Sequence, residues 1–391
     1  MKRLVICNDG LGSANKGDQA ILAAMLDDFA VAIPQVAVAA CPYSGLRRPR
    51  EFISFLARLR KADAFILGGG HPFQDQTSQA FLFFGLLLIL IARVMGKKVM
   101  CYAVGAGPIS SKAGKILSGW LINQADLVSV RDPVSREILL ELGVKGEKVV
   151  VTADAAFTLG SVPAERADEI LCAEGVRRGA SPLIALCLRR WFCFRSAFWP
   201  QAGRGGGRAG GESEKAKAVK AMFKEFCDYL VRKYDADIVL VPMRRSATGA
   251  DPGQDDDRYS REVMEMVEKK QKVTLLRGDY TPRELKGILA AMDLVVSVRL
   301  HPLILAASSG VPVMGIPFTR SKGEGFFGHL GLDADYIYID EIDLHSLAEM
   351  FDRAWARRKS TGMELKRRAA LLEEKARENV RLLLELMKGA E

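Results

Sequence analysis

Short apolar runs recur along this chain, and nearly every one stops at a glycine or a charged residue. In the first half they are Leu4–Cys7, Val36–Ala40, Ala64–Leu67, Val99–Val104, Leu127–Val130 and Val149–Thr152. Between them lie segments with helical spacing: Asp18–Phe29, Glu51–Lys61, 81–92, 111–124 and 134–142. Strands separated by helices cannot close as hairpins. Each connection must cross over, which predicts a parallel sheet covered by helices on both faces. The pattern restarts after a polar stretch at 160–182. Strands are expected at Leu183–Leu188, Ile238–Val241, Val273–Leu276, Leu294–Val298 and Val313–Ile316, with helices at 214–233, 258–269 and 282–291. The expected fold class is α/β, with two Rossmann-like doubly wound domains facing across a cleft. The N-terminal domain is set at 1–165 and the C-terminal domain at 180–345. A helical segment at 346–391 should dock on the body through apolar positions spaced by three and four.

Composition narrows the function classes. With 391 residues, 49% of them hydrophobic, there is material for two cores. A net charge of +9 favours anionic partners. The 56 Lys and Arg are dispersed, and no nucleic-acid recognition motif is present, so a nucleic-acid partner is not expected. Seven cysteines without a CxxC pair read as reduced thiols of a cytoplasmic protein. Met1-Lys2-Arg3 runs directly into the first strand and leaves no room for a signal peptide. The apolar run 81–92 falls well short of the roughly 20 residues a membrane span needs, so a fully buried helix is expected there. The aromatic stretch Trp191–Trp199 and the glycine-rich stretch Gln201–Gly211 read as a patch packed on its own domain followed by a mobile loop.

In open parallel sheets ligands gather beyond the carboxyl ends of the strands. Gly17-Asp18 lie where the first strand's loop opens onto a helix, with Asp18 read as its N-cap. Gly68-Gly69-Gly70-His71 permit close backbone approach, followed by Gln74-Asp75; His71 reads either as an acid/base group or as a structural histidine. Gly105–Pro108 reads as a tight turn. Arg131-Asp132 offer either an anion-binding cation or an internal ion pair. Arg189, Arg190 and Trp191 follow the first strand of the second domain. Met243-Arg244-Arg245 precede Asp255-Asp256-Asp257, whose consecutive carboxylates converge poorly on one ion, so capping roles and no metal are expected. The strongest strand end is Ser297-Val298-Arg299-Leu300-His301-Pro302. A cation and an imidazole two residues apart share one side of an extended chain, and Pro302 suits the first turn of a helix through Leu303–Ser308. Together they read as an anion site with a proton-transfer group. Lys322, Glu324 and Gly325 follow the next strand.

In this order the segments resemble the polysaccharide pyruvyl transferase family. The early Gly17-Asp18 loop, DAFILGGGHPFQDQTS, YAVGAGPI, VSVRDPVS, VTADAAF, Arg189–Trp191, Asp256-Asp257 and VSVRLHPLILAASSGVPVMGI are similar to its successive motifs, from about residue 4 to 332. Departures are His71 in place of a small residue, Ala155 in place of proline, Phe318–Lys322 in place of a Tyr-Asp-Pro-Lys run, and the insertion at 201–211. The resemblance implies a GT-B-like fold with the acceptor on the N-terminal side and the donor on the C-terminal side. It implies transfer of a pyruvyl group from phosphoenolpyruvate to two hydroxyls of a sugar in a cell-surface polysaccharide or its lipid-linked precursor, forming a ketal. No cofactor and no metal are implied. On that reading His301 and Arg299 are catalytic, with His301 protonating the enol carbon and later taking a hydroxyl proton. Arg189 and Lys322 hold the donor's charges. Trp191 stacks on the sugar, and Gly17, Asp18, Gly69, Gly70, His71, Asp75 and Arg131 complete the substrate-binding set. A basic aromatic insertion suits peripheral contact with the inner face of an anionic membrane. The competing expectations are a GT-B glycosyltransferase using a nucleotide sugar and a non-catalytic carbohydrate-binding protein on the same fold.

Overall fold

The strands form because both faces of each sheet are buried, so successive residues can all be apolar. In the N-terminal domain the order is β1 (Arg3–Asn8), α1 (Lys16–Ala32), β2 (Ala37–Pro42), α2 (Pro49–Arg60), β3 (Ala64–Gly68), α3 (Gln79–Val94), β4 (Lys98–Val104), α4 (Lys112–Ile122), β5 (Leu127–Val130), α5 (Pro133–Glu141) and β6 (Val149–Val151). Helix α6 (Ala164–Ala173) leads to the second domain: β7 (Leu183–Cys187), α7 (Glu214–Tyr234), β8 (Asp237–Leu240), α8 (Asp256–Met266), β9 (Val273–Leu275), α9 (Pro282–Ala290), β10 (Leu294–Ser297), α10 (Leu300–Ala307), β11 (Val313–Gly315), α11 (Arg320–Leu330) and α12 (Leu344–Ala356). Helix α13 (Arg358–Lys388) follows. This computed structural model describes residues 2–76, 78–176, 178–192, 213–245 and 255–388. Most of the aromatic stretch after Trp191, and all of Gln201–Gly211, lie outside the described residues.

Both sheets are parallel, in the orders β2-β1-β3-β4-β5-β6 and β11-β10-β7-β8-β9. Val5, Phe65 and Cys101 pack into one core, while Leu4, Ile6, Ile66, Met100 and Tyr102 face the other. Each sheet reverses its direction of travel once, between β1 and β3 and between β7 and β10. There the loops of neighbouring strands leave toward opposite faces and open a crevice. The two crevices face each other. Lys16 N donates to Met243 O at 2.9 Å, Asn15 and Arg244 form an isolated bridge, and Lys16 Nζ pairs with Asp279 at 2.7 Å.

The last helix ties the domains from behind. Helix α13 leaves the C-terminal domain and packs on the N-terminal one. Its Asn379 is fully buried, accepts from Thr152 Oγ1 at 2.8 Å and donates to Ala153 O at 3.3 Å. Lys2 Nζ donates to Met387 O at 2.8 Å.

Four expectations change. Helix α10 starts at Leu300, three residues early, so His301 is helical and Arg299 is its N-cap residue. Arg299 thus ends the extended segment and His301 opens the helix, and both side chains line the same cavity. Asn15, whose side chain accepts from Gly17 N, caps α1, and Asp18 sits in the first turn. Helix α3 is not fully buried: Leu87 is 43% exposed and Val94 78%. Helices α6 and α11 are not among the expected elements, and α11 opens on Arg320-Ser-Lys-Gly-Glu-Gly, which gives no apolar stripe; α12 falls within the helical segment expected at 346–391 but starts two residues earlier.

Candidate active site

The loops after β1, β3, β5, β7, β8, β10 and β11 converge on one cavity of about 170 Å³. Five cations line it: Arg131, Arg189, Arg244, Arg299 and Lys322. Asn15, Asp18, Gly70, His71, His301 and Phe318 share the wall with them. A second cavity of about 260 Å³ adjoins it on the N-terminal side, sharing Asn15, Asp18, Gly70, His71 and Arg244, and adds Asn8, Asp9, Tyr43, Gly69 and Phe81. Asp18 stands at the junction.

Arg131 organises the N-terminal wall. Its Nη1 donates to Asp154 Oδ2 at 2.9 Å, and both side chains are almost wholly buried. Its Nη2 lies 3.3 Å from His71 Nδ1, while His71 Nε2 meets Gly107 O at 2.5 Å. That arrangement requires His71 to accept at Nδ1 from the guanidinium and donate at Nε2 to the carbonyl, which is the neutral form. Burial, then Arg131 and Lys322, push the His71 pKa well below the usual histidine range. His71 is therefore a positioning group for Arg131. Gly105 makes the contact feasible, since a Cβ there would lie 2.3 Å from His71 Nδ1.

His301 is held differently. Its Nε2 is buried without a hydrogen-bond partner, 4.0 Å from Asp154 Oδ2. Burial lowers its pKa to about 4; Asp154 opposes the shift, while Arg131, Lys322 and Arg299 add to it. Gly17 closes over the ring, because any Cβ at that position would lie 2.2 Å from His301 Nδ1. An imidazole that is desolvated, without a hydrogen bond at Nε2 and surrounded by cations favours its neutral form, and an anion beside it favours its protonation.

Arg299 does not present a bare charge. Its Nε and Nη2 donate to Asp256 Oδ2 and Oδ1 at 2.5 and 2.7 Å, a bidentate pair with Asp256 1% exposed. Asp255 caps α8, and Asp257 pairs with Arg245 and Arg261, so the three carboxylates diverge. Lys322 projects from the first turn of α11. Burial, then Arg189, Arg131 and Arg299, lower its pKa to about 7. Asp18 is raised to about 6, first by burial and then by Asp9, with its Asn15 hydrogen bond opposing. Arg189 lies 4.4 Å from the Phe192 ring and 5.4 Å from the Phe318 ring.

Two assignments made from sequence move away from the site. Trp191 donates its Nε1 to Asp340 at 2.8 Å and lies under Lys215, outside both cavities. Asp75 is fully buried and accepts from Ser110 N, Ser110 Oγ and Ser111 N. Burial alone would raise its pKa, yet the bonds from Ser111 and Ser110 hold it below the usual carboxylate range. Asp75 fixes the 108–111 loop. Sequence reasoning did not assign Asn15, Arg244, Phe318, Asp154 or Asp256 to the site. Arg244 and Asp256 lay in segments already marked as polar strand ends, and that was the signal available.

A sequence model of the family described as polysaccharide pyruvyl transferase matches residues 15–318. The amylovoran biosynthesis protein AmsJ of Erwinia amylovora is 25% identical over 293 residues, or 74% of this chain. The match spans 65% of that protein, slightly less than two thirds of its length. UDP-GlcNAc 2-epimerase from Neisseria meningitidis, solved bound to UDP-GlcNAc, superposes with a TM-score of 0.59 at 13% identity, covering 98% of this chain and 100% of that one. The S. aureus MnaA–UDP co-structure gives 0.62 at 14% identity, with 99% and 98% covered. At these identities the likeness shows the architecture alone, a GT-B-like pair of α/β domains.

Proposed function

The chain belongs to the polysaccharide pyruvyl transferase family, and we propose that it moves the pyruvyl group of phosphoenolpyruvate onto two hydroxyls of a sugar, releasing phosphate. The observation that carries this reading is the cavity in which five cations surround one unpartnered imidazole. Phosphate and carboxylate together bring roughly three negative charges at neutral pH, and planar guanidiniums bind both groups well.

The chemistry balances without a cofactor. The methylene carbon of the donor gains a proton, which makes its neighbour electrophilic. One sugar oxygen bonds to that carbon, the bond to the phosphate oxygen breaks, and the second sugar oxygen closes the ketal. Of the two hydroxyl protons, one is matched by the new methyl proton and the other leaves on phosphate. His301 supplies the first proton. The donor's charge turns the neutral imidazole into an imidazolium, so the acid forms when the substrate arrives. Asp18, between the two cavities, takes a hydroxyl proton, and its raised pKa suits that work near neutrality. The second cavity receives the sugar, with Tyr43 and Phe81 as the apolar wall and Asn8, Asp9 and Asn15 as polar groups. Arg131 and Lys322 hold the donor, and Arg299, already paired with Asp256, orients it through Nη1.

The test is incubation with phosphoenolpyruvate and a panel of lipid-linked and aryl glycosides, followed by mass spectrometry for ketal addition and by phosphate release. Tight binding of a nucleoside diphosphate, with no response to phosphoenolpyruvate, would replace this reading with nucleotide-sugar transfer. The pH profile adds a signature. Asp18 must be ionised as base, so kcat, which reports the enzyme after the donor has protonated His301, rises as pH climbs through about 6. Lys322 must be protonated to hold the donor, so kcat/KM falls above about 7. The donor's charge raises the Lys322 pKa, so the alkaline limb of kcat lies higher than that of kcat/KM. Asp18→Asn should lose the acidic limb.

Gly17→Ala probes His301 from the opposite wall. The added methyl forces the imidazole aside, and a displacement near 1 Å can cost about 100-fold in rate. We expect that loss in kcat, with stability lowered by no more than the roughly 1–3 kcal/mol that overpacking costs, partly offset by alanine's better helix propensity. Wild-type kcat in this variant would show that the position of His301 does not matter.

A further inference from the structure

The N-terminal domain carries a surface that the reaction does not use. Among the described residues twelve large hydrophobic side chains are exposed, and five of them lie on α3 and α4: Leu87, Val94, Ile116, Leu117 and Trp120. Ile116 is 73% exposed and Trp120 57%. The two helices lie side by side, with Gly114 against Leu82, and each turns apolar residues outward. Monomers seldom leave such residues clustered.

Charge identifies what covers it. Residues 76–125 contain no Asp or Glu, although the chain has 47 in all. The same stretch holds Arg93, Lys97, Lys98, Lys112 and Lys115. Arg93 pairs with Asp126 at 3.2 Å and Lys97 donates to Arg60 O, while exposed Lys112 and Lys115 flank Ile116 on α4. Many of those residues are buried in β4 and on the inner faces of the helices; at the exposed positions of α3 and α4 the charged residues are Arg93, Lys112 and Lys115. An anionic lipid surface suits a face of apolar and basic residues, because it attracts the cations and repels carboxylates. A tryptophan at the edge of the apolar face suits the headgroup boundary. Among the described residues no helix is long and apolar enough to cross a membrane, so contact would lie in the plane.

We propose that the outward face of α3 and α4 docks on an anionic bilayer. The first turn of α3 carries Phe81, in the wall of the second cavity. Docking would therefore hold that cavity near the lipid surface, where a lipid-linked sugar is presented. The inference needs no step of the reaction, because binding is measured without donor or acceptor.

The full chain is sedimented with phosphatidylcholine vesicles containing phosphatidylglycerol, and with phosphatidylcholine vesicles alone. We expect binding to the anionic vesicles and at least ten-fold weaker binding to the neutral ones. Ile116→Glu with Trp120→Glu should reduce partition at least ten-fold, with thermal unfolding and turnover of a water-soluble acceptor unchanged. Lys112→Glu with Lys115→Glu should weaken it by roughly five-fold or more per lysine. Absence of wild-type binding would overturn the proposal, as would equal binding by the Ile116/Trp120 variant. So would a dimer by light scattering that the same variant splits while vesicles leave the protein unbound, since the face would then be a self-contact.

Discussion

His301→Ala is expected to lower turnover by about 10²- to 10⁴-fold, the range for a positioned acid or base, while the fold stays intact. The second half of that statement is as specific as the first. Nε2 of His301 has no hydrogen-bond partner, and its nearest carboxylate, 4.0 Å away, is already engaged by Arg131. Removing the ring therefore strands no buried donor or acceptor. It also lifts a desolvated group that resists ionisation. Phosphate release and thermal unfolding measured on the same sample separate the two effects. Full turnover in the variant would end the assignment, and a collapsed fold would recast His301 as structural. His301→Asn keeps much of the bulk beneath Gly17 without a titratable ring, and should be as inactive as alanine.

Asp154→Ala is expected to have the largest effect on stability. Asp154 is the close partner of Arg131, and both are almost wholly buried. Truncating one member of a buried pair costs roughly 3–5 kcal/mol, because the other charge is left uncompensated. Asp132, 3.8 Å from Arg131 Nε, remains as a weaker partner and places the loss toward the lower end. Denaturant midpoints measure it. Activity should fall as well, since Asp154 is the charge that favours the His301 imidazolium against its cationic neighbours. Unchanged stability would mean that Arg131 is solvated or held elsewhere.

The strand ends were legible because each apolar run stops at residues that no core accepts, and the sheets' reversal points turn those ends into one cleft. His71, Arg131, Arg189, Arg299, His301 and Lys322 could thus be named from sequence, and they meet in the cavity. Their partners could not. Arg131–Asp154 and Arg299–Asp256 join residues from separate strand ends, and nothing local to Asp154 or Asp256 distinguishes a partner from a cap. The geometry at 299–301 was misjudged for a local reason. An apolar strand followed by Arg-Leu-His-Pro gives no mark of where extension ends, and α10 starts before the proline rather than after it. Trp191 shows what sequence cannot place: an aromatic that follows a strand end reads as a sugar platform, while the structure sets its indole N–H on Asp340 and its ring outside both cavities.

Helix α13 has a temporal consequence. Asn379 grips Thr152 and Ala153, immediately before the aspartate that steadies Arg131 and faces His301. The backbone beside the reactive groups is thus fastened by a residue translated more than two hundred positions later. On the ribosome the N-terminal domain can build its sheet early, yet it must wait for that clasp. Competence is acquired last, when most of the polypeptide has already emerged, and a nascent chain arrested before residue 379 should hold its cations and its imidazole without a finished floor beneath them.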